Sequence, residues 1–264
     1  MRVILNADDF GSSADTLAAT IECFEQGALT SATIMPGMPA TGEAISFARE
    51  HPELSFGVHL VLVGDGDERP VAGAASVPGL VDPKGSLLPT NEIRLRALLR
   101  RLPLDELERE MAAQIESVRA AGVNVSHVDS HRHVHKLGSV RVALARVLPR
   151  FGIRRVRKVQ DIYLRRPLTS PTYWLGSLWQ RRLMRMAAVS TTHFYMPTGL
   201  EDADWERRLL ERMARLSGSI EVGVHPGTDD DWRAAERVAA TRFAAQARQQ
   251  GHELVPWTAI STGA

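Results

Sequence analysis

Short apolar runs alternate with longer amphipathic segments along most of the chain. The run at 2–7 and the β-branched and aromatic run at 54–63 are typical of buried strands, whereas the apolar residues of 15–27 recur on one helical face. The pattern predicts eight strands, over 2–7, 30–35, 54–63, 123–128, 153–159, 192–196, 220–225 and 253–257. It predicts helices over 15–27 and 41–50, around 107–118, 140–151 and 209–216, and over 230–250, with a long loop over 64–92. We expect Thr41 to cap the second helix.

Strands that alternate with helices predict a mostly parallel sheet, either closed as a barrel or open and doubly wound. Charged and metal-binding residue types follow several of the predicted strands, and barrels build their active sites from the carboxyl ends of different strands. We therefore predict an α/β fold in which residues 1–264 form a single-domain (β/α) barrel. This barrel would be TIM-like, and it could be distorted or incompletely closed.

Composition narrows the function classes. The 264 residues include 32 basic and 31 acidic side chains, a balance that argues against a protein that coats nucleic acid. Cys23 is the only cysteine in the sequence, which excludes an intramolecular disulfide and a cysteine-rich metal cluster. Asp8 ends the first apolar run too early for a secretory signal, and no apolar run reaches the ~18 residues of a membrane span. We therefore expect a cytoplasmic protein.

Histidine is concentrated in the segment 127–135. Here His127, Asp129, His131, His133 and His135 alternate with other residues, so an extended backbone would point all five side chains the same way. A packed core does not tolerate so many uncompensated polar groups on one face. We expect the chain to leave the strand near Asp129 and to spread these side chains around a site, and a solvated histidine-rich loop is the alternative. Neutral imidazoles ligate zinc and other transition metals, and a carboxylate can ligate or orient a histidine.

Acidic and imidazole groups also follow other predicted strands. Asp8 and Asp9 end the first strand, and adjacent carboxylates repel one another unless a cation lies beside them or one of them is protonated. Taken alone, the pair is typical of a turn or a helix cap. His59 and His225 each follow Gly-Val in an apolar run. Because strand ends converge in a barrel, the combination favours one shared site.

Four motifs carry a family resemblance. They are NADDFG at 6–11, GVHLVL at 57–62, HVDSHRHVH at 127–135 and VHPG at 224–227. In this order, and together with LTSATIM and THFYMP, they resemble the YdjC-like carbohydrate deacetylases, which include chitooligosaccharide deacetylases and a hopanoid-associated branch. The resemblance implies a metal held by Asp9, His59 and His131, with Asp8 as the catalytic base. Arg132 stands where relatives often have a third consecutive histidine, a difference that bears on substrate selectivity.

Removal of an N-acetyl group from an amino sugar is chemistry that suits these residues. Two imidazoles and one carboxylate leave open positions on a metal, which would lower the pKa of water and polarise the acetamide carbonyl. Asp8 could take the proton of the attacking water. The leaving amine needs an acid, and His225 is our candidate because its side chain titrates in the useful range.

The remaining candidates are expected around this metal. Asp129 would orient a metal-binding histidine or serve as a further ligand. His127, His133 and His135 would support the site or contact substrate, and spacing leaves the last two open as alternatives to His131. Zinc is the first expectation for the metal, and magnesium, manganese, cobalt and nickel are the alternatives.

Charge is segregated along the chain, because residues 141–185 contain twelve basic residues and one acid, Asp161. Within them, 173–186 predicts a helix with Trp174, Leu178 and Trp179 on successive turns. The helix would pack on the barrel with a solvated arginine face. Contact with an anionic membrane or a lipid-linked glycan is the alternative, and a homo-oligomer contact would use the same residues. The chain does not resemble a nucleic-acid-binding module, so no nucleic-acid partner is expected.

Two other function classes stay open beside the N-deacetylase. One is a metal-dependent hydrolase of the same architecture that acts on another amide or on a phosphoester. The other is a carbohydrate-binding protein that keeps the fold without turnover. A base beside a metal site argues against this last class, because a binding protein has no need of it.

Overall fold

The computed structural model describes residues 1–66, 68–166, 168–185, 189–197 and 204–261. Within these residues seven strands form one parallel sheet with the order β4-β3-β2-β1-β6-β5, and β7 pairs with the start of β1. The strands are β1 Arg2–Phe10, β2 Ser31–Ile34, β3 Ser55–Leu60, β4 Val125–Ser130, β5 His193–Tyr195, β6 Ser219–Val224 and β7 Glu253–Leu254. The central strand β1 is buried from Val3 to Phe10. The strands are largely apolar because, as in other parallel sheets, both faces of the sheet are covered by other parts of the protein.

Eight α-helices lie in the described residues and connect these strands. They are α1 Ala14–Glu25, α2 Thr41–Glu50, α3 Thr90–Leu98, α4 Leu104–Ala120, α5 Gly138–Val147, α6 Pro171–Met184, α7 Trp205–Met213 and α8 Asp231–Gln249. Helix α1 begins with a capping box in which the Ser13 hydroxyl accepts from the Thr16 backbone N–H. Thr41, predicted as a cap, is instead the first residue of α2, and its hydroxyl bonds to the carbonyl oxygens of Met35 and Met38. The predicted loop over 64–92 is largely irregular, and α3 begins at Thr90 within it.

The prediction of eight full strands is wrong at 153–159. This segment forms only isolated parallel bridges, from Val156 to Val128 of β4 and from Arg155 to Val189. Beyond Arg157 the chain leaves β4, and the backbone N–H groups of Asp161 and Ile162 donate to Phe194 of β5. The sheet therefore curls, and its two edges are joined by single bridges in place of a continuous ladder. An α/β barrel fold, in an incompletely closed form, is confirmed.

Polar side chains fill part of the interior of this curled sheet. Alternate residues of a strand face the same side, so Asn6 and Asp8 of β1 point inward together. Residues from other strands and from the segment after β4 join them, and all are at most 1 % exposed: Thr33, His127, Asp129, Arg157 and Glu221. Buried polar groups require partners. A connected network of polar side chains therefore lies in the interior below the carboxyl ends of the strands, and it supports the residues at those ends.

Helix α6 is only partly packed against the barrel. Leu183 is fully buried, whereas Trp174 is 63 % exposed, with Leu175 and Leu178 also exposed. Trp179 packs against the ammonium group of Lys136 at 5.6 Å from the ring centroid. Met186, the last residue of the apolar stretch predicted over 173–186, lies outside the described residues. No helix in the described part of the chain has the length and hydrophobicity needed to cross a membrane.

Candidate active site

A bulge at the end of β1 turns two adjacent carboxylates toward one cavity. Regular alternation would point Asp8 and Asp9 to opposite faces of the sheet. The register of β1 with β2 shifts between Ala7 and Phe10, and Asp9 adopts the left-handed backbone conformation at φ 59°. Bulges of this kind re-aim side chains beside active sites. As a result both carboxylates line a cavity of about 390 Å³ at the carboxyl ends of the strands.

Three potential ligand groups meet in this cavity. The Asp9 Oδ1 atom lies 3.4 Å from His59 Nε2 and 3.1 Å from His131 Nδ1. The three donor atoms all lie within 4.8 Å of one another. Asp9 and His59 are buried, whereas the His131 side chain is 18 % exposed and faces the cavity. The sequence-based prediction had named these three residues as a metal set, and the fold brings them together from β1, β3 and the end of β4.

His59 is held in place by a carboxylate on its far side. Its Nδ1 atom lies 2.7 Å from Asp129 Oδ1, and the Thr33 hydroxyl donates to the other oxygen of Asp129. Burial lowers the pKa of His59, but Asp129, followed by Asp8 and Asp9, outweighs burial and raises it to about 9. Histidine ligands must be neutral to bind a metal, so a cation would displace a proton here. Asp129 thus contacts the ring nitrogen of His59 that does not face Asp9.

Asp8 is tied to a residue that the sequence analysis did not identify. Arg157 is fully buried, and its Nη1 and Nη2 atoms lie 2.5 and 2.6 Å from the two oxygens of Asp8. Burial raises the pKa of Asp8, yet the guanidinium outweighs burial and holds that pKa well below its usual range. The side-chain amide of Asn6 also donates to Asp8. Asp8 is therefore an ionised carboxylate held in a fixed orientation at the cavity wall.

The same guanidinium holds two further carboxylates. Its Nη1 atom is 2.6 Å from Asp129 Oδ2, and its Nη2 atom is 2.7 Å from Glu221 Oε1. Burial raises the pKa of Glu221 to about 7, even though Arg157 favours its ionised form. A sequence signal for Arg157 is absent, because it is one of several basic residues in the segment IRRVRKV. Its partners come from β1, β4 and β6, which are distant from it in sequence.

His225 follows β6 and lines the same cavity as His131 and His133. Its Nδ1 atom lies 3.1 Å from Glu236 Oε2 on α8. Burial lowers the pKa of His225, but Glu236, together with Asp9 and Asp8, outweighs burial and raises it above the ordinary value of 6.5. Other residues of α8 also line the cavity. Among them, Arg233 contacts the metal-site carboxylate, because its Nη2 atom lies 2.8 Å from Asp9 Oδ2. Trp232, Arg233 and Glu236 were not predicted, although DWRAAER does put an aromatic and charged face at the start of the last helix.

The histidine-rich segment leaves the strand as predicted. After Ser130 the chain forms a short 3₁₀ stretch, His131–Lys136, in which Arg132 and His133 have positive φ values of 54° and 53°. These conformations spread the side chains. His131 reaches Asp9, His133 lies between Met196 and the ring of Phe194, and His135 turns back to the Ser130 hydroxyl. His133 lines the cavity, whereas His135 does not, so the two do not serve equally as alternatives to His131.

Two predicted residues lie outside the centre of the site. His127 is completely buried, stacks on Trp257 at 4.8 Å and lies 3.2 Å from Asn6 Oδ1, so it supports Asn6 from a position that does not line this cavity. Gly57 makes this packing possible, because a side chain there would come within 2.7 Å of the His127 ring. Arg132 lies at the cavity mouth, where its Nε atom donates to Asp65 at 3.0 Å.

The Asp9, His59 and His131 set fits a divalent cation. It combines one carboxylate and two imidazoles, which leaves coordination positions for water and substrate. A second group, formed by Asp8, His59 and Asp129, also has its donor atoms within 4.8 Å. That group is a poorer candidate, because the fully buried Arg157 guanidinium pairs with both of its carboxylates and would repel a cation. In the first group Arg233 pairs only with Oδ2 of Asp9, and Oδ1 faces the two imidazoles.

Comparisons with known proteins identify relatives of this chain. The chain is 36% identical over 169 residues to a carbohydrate deacetylase of Geobacillus stearothermophilus, an alignment that covers 64% of this chain and 63% of that protein, less than two thirds of its length. It is 32% identical over 233 residues to a carbohydrate deacetylase of Brevibacillus brevis, which covers 88% and 83% of the two chains.

A solved structure from Enterococcus faecalis V583, provisionally described as a cellobiose-phosphate cleavage protein, superposes with a TM-score of 0.80 at 22% identity over 97% of both chains, and it establishes similarity of fold. The family described as YdjC-like protein matches residues 2–256. Since that match spans nearly the whole sequence, the chain belongs to the YdjC-like protein family.

Proposed function

We propose that this protein is a metal-dependent carbohydrate deacetylase that hydrolyses the N-acetyl group of an amino sugar. The observation that carries the proposal is the composition of one cavity, in which an ionised Asp8 stands beside the Asp9, His59 and His131 donor set and His225 faces them. The carbohydrate deacetylase names of the relatives support the substrate class.

The metal would be held by Asp9, His59 and His131. When bound, a divalent cation polarises the acetamide carbonyl and lowers the pKa of water, so a weak base is sufficient to remove a proton from that water. Asp8 is such a base, because Arg157 stabilises its ionised form. Arg157 also fixes both oxygens of Asp8, so the carboxylate keeps its direction when it accepts the proton of the attacking water.

His225 would supply the proton that the leaving amine requires. An amine anion is a poor leaving group, so cleavage of the C–N bond needs protonation of the nitrogen. Glu236 stabilises the imidazolium form of His225 and orients its ring through Nδ1. Asp8 removes one proton from the attacking water and His225 donates one to the leaving nitrogen, so hydrolysis consumes one water, and the products are acetate and the protonated amine.

The test is acetate release from N-acetylglucosamine oligomers in the presence of zinc or magnesium. Asp8→Asn should lower kcat by about 10²- to 10⁴-fold, the usual contribution of a general base, while metal binding measured by calorimetry is retained. Asp9→Ala should abolish both metal binding and activity. Asp105→Asn is the matched control, because Asp105 is exposed and makes only a 3.5 Å surface pair with Arg109.

Each part of the proposal can fail separately. Full turnover in Asp8→Asn would refute the assignment of the base. Acetate release that persists after complete metal removal would refute metal dependence. If the wild-type protein binds the oligomers but releases no acetate with any metal, the protein is a binding protein of this fold, and the deacetylase proposal is wrong.

A further inference from the structure

Two helices beside the candidate active site carry most of the exposed large apolar side chains in the described part of the chain. These side chains are Leu95, Leu98 and Leu99 at the end of α3, and Leu168, Trp174, Leu175, Leu178 and Met184 in and just before α6. Leu98 is 79 % exposed and Trp174 is 63 % exposed, and Val238 of α8 is the one other such side chain in these residues. Clusters of exposed apolar groups mark interaction sites, whereas single exposed groups are ordinary.

Both helices approach the segment of the chain that lines the candidate active site. Arg94 of α3 lines that site, and together with burial it lowers the pKa of Lys136 to about 8. The Lys136 ammonium donates to the Thr172 hydroxyl of α6 at 2.7 Å. Thr172 lines a second cavity, which shares His133 and Met196 with the candidate active site. Helices α3 and α6 therefore both lie beside the carboxyl ends of the strands.

The exposed face of α6 combines apolar and basic groups. Trp174, Leu178, Arg181 and Arg185 follow one another at intervals of three or four residues, so they share one side of the helix, and all four are exposed. Leu183 lies on the other side and is fully buried. The sequence from 171 to 185 contains no acidic residue. Tryptophan, leucine and arginine on the exposed side of a helix are typical of the boundary between lipid headgroups and acyl chains.

The arginines of this face are crowded and lack counter-ions. Arg141 of α5 donates through Nη1 to the backbone carbonyl of Arg182 at 3.3 Å, and burial, followed by the charges of Arg182 and Arg185, lowers the pKa of Arg141. Within the described residues, no carboxylate pairs with the arginines at 141, 181, 182 and 185. A second copy of this chain would bring these cations against their equivalents across a two-fold interface. Anionic lipids would instead neutralise them.

We propose that the exposed faces of α3 and α6 form one surface that binds the headgroups of an anionic lipid bilayer. Trp174 and the leucines of both helices enter the headgroup region, and the arginines contact lipid phosphates. Arg100 and Arg101, which directly follow the leucines of α3 and are exposed, add to the positive charge of this surface. The candidate active site is thereby held next to the membrane. This inference concerns a binding surface and does not depend on the proposed function.

The experiment measures sedimentation of the full chain with vesicles of phosphatidylcholine, with and without about one third phosphatidylglycerol. Trp174→Ser with Leu178→Ser removes exposed apolar groups from α6, and Leu95→Ser with Leu98→Ser does the same on α3. Val238→Ser is the matched control, because Val238 is 47 % exposed on α8. We expect the wild type to bind only the vesicles that contain phosphatidylglycerol. Each double variant should bind them about tenfold more weakly, and the control should bind like the wild type.

Arg181→Gln with Arg182→Gln tests the charges of the surface. A basic side chain near an anionic membrane strengthens binding about fivefold, so this double variant should bind about 30-fold more weakly. The control is Arg2→Gln with Arg248→Gln, which removes the same charge from two exposed arginines that donate to the backbone carbonyls of Ala259 and Gly27. This control should bind within about twofold of the wild type, because screening confines the effect of a charge to about 10 Å.

Several results would overturn the proposal. They are failure of the wild type to sediment with the phosphatidylglycerol vesicles, equal binding to vesicles without this lipid, and unchanged binding of the α3 or α6 variants. If the wild type is a dimer that Trp174→Ser with Leu178→Ser converts to a monomer, and if it binds no vesicles, this face belongs to a second copy and the membrane proposal is wrong. The sedimentation measurements use no substrate, so their outcome is separate from that of the acetate-release test.

Discussion

Replacing Arg157 by methionine tests whether one buried cation holds the carboxylates of the site together. The guanidinium lies 2.5 to 2.7 Å from oxygens of Asp8, Asp129 and Glu221, and all four side chains are at most 1 % exposed. Methionine fills much of the same space without charge. The variant would therefore leave three buried carboxylates without their common counter-ion.

Removing one partner of a buried ion pair typically costs about 3–5 kcal/mol of unfolding free energy, because the remaining charge stays desolvated. We expect at least this loss at pH 7, a large share of the ~5–15 kcal/mol that stabilises a typical domain. The loss should shrink at pH 5. Without Arg157, burial raises the pKa values of Asp8 and Glu221 above their unfolded values, so the folded variant binds extra protons and regains stability as the pH falls.

Urea unfolding at pH 7 and pH 5 measures both effects. Arg146→Met is the control, because Arg146 pairs with Glu108 at 2.8 Å while its side chain is 58 % exposed, and such surface pairs contribute about 0–1 kcal/mol. If Arg157→Met proves too unstable to purify, Arg157→Lys keeps the charge but loses the paired contacts, and should show an intermediate loss. A stability of Arg157→Met within 1 kcal/mol of the wild type at pH 7 would refute this account of the network.

Three further predictions concern the acid, the metal and the exposed helix. Glu236→Gln should lower the pKa of His225, so the alkaline limb of the kcat–pH profile, where the imidazolium loses its proton, should move to lower pH; an unchanged profile would argue against His225 as the acid. Zinc at about 100 times its Kd should add about 2.7 kcal/mol to the unfolding free energy of the wild type and nothing to that of His59→Ala, as measured by thermal melting with and without chelator. An equal gain in both proteins would place the metal elsewhere. Replacing Trp174 and Trp179 of α6 by alanine should weaken sedimentation with anionic vesicles while activity on a soluble sugar is kept, and unchanged sedimentation would exclude α6 as a membrane contact.

The local sequence predicts those site residues that lie at the ends of strands. His59, His131 and His225 each lie at or just beyond the end of a predicted strand, and parallel strands bring such positions to one edge, so their convergence could be inferred from the pattern alone. The spread of the histidine-rich segment was also predictable, because five polar side chains on one buried face would lack partners. These inferences require only periodicity and the cost of burying polar groups.

The remaining parts depend on contacts between residues that are remote in sequence. Asp8 and Arg157 are separated by 149 positions, and His225 and Glu236 meet only because α8 packs beside β6. The bulge that turns Asp9 into the cavity is likewise a property of the β1–β2 register, which the sequence NADDFG does not display. The segment 153–159 has the composition of a strand, but it forms single bridges, and Arg157 within it pairs with the interior carboxylates.

The sequence by itself therefore determined the alternation of strands and helices, the gathering of acidic and imidazole groups at strand ends, and the family. Tertiary structure alone decided that Arg157 pairs with both oxygens of Asp8, whereas Asp9 pairs with Arg233 through Oδ2 and turns Oδ1 toward His59 and His131. It also decided that the basic residues at 136, 158, 165 and 166 gather around a second cavity beside the first. The physical reason is that apolar periodicity is a property of the local sequence, whereas the partners of buried charges depend on how distant segments pack together.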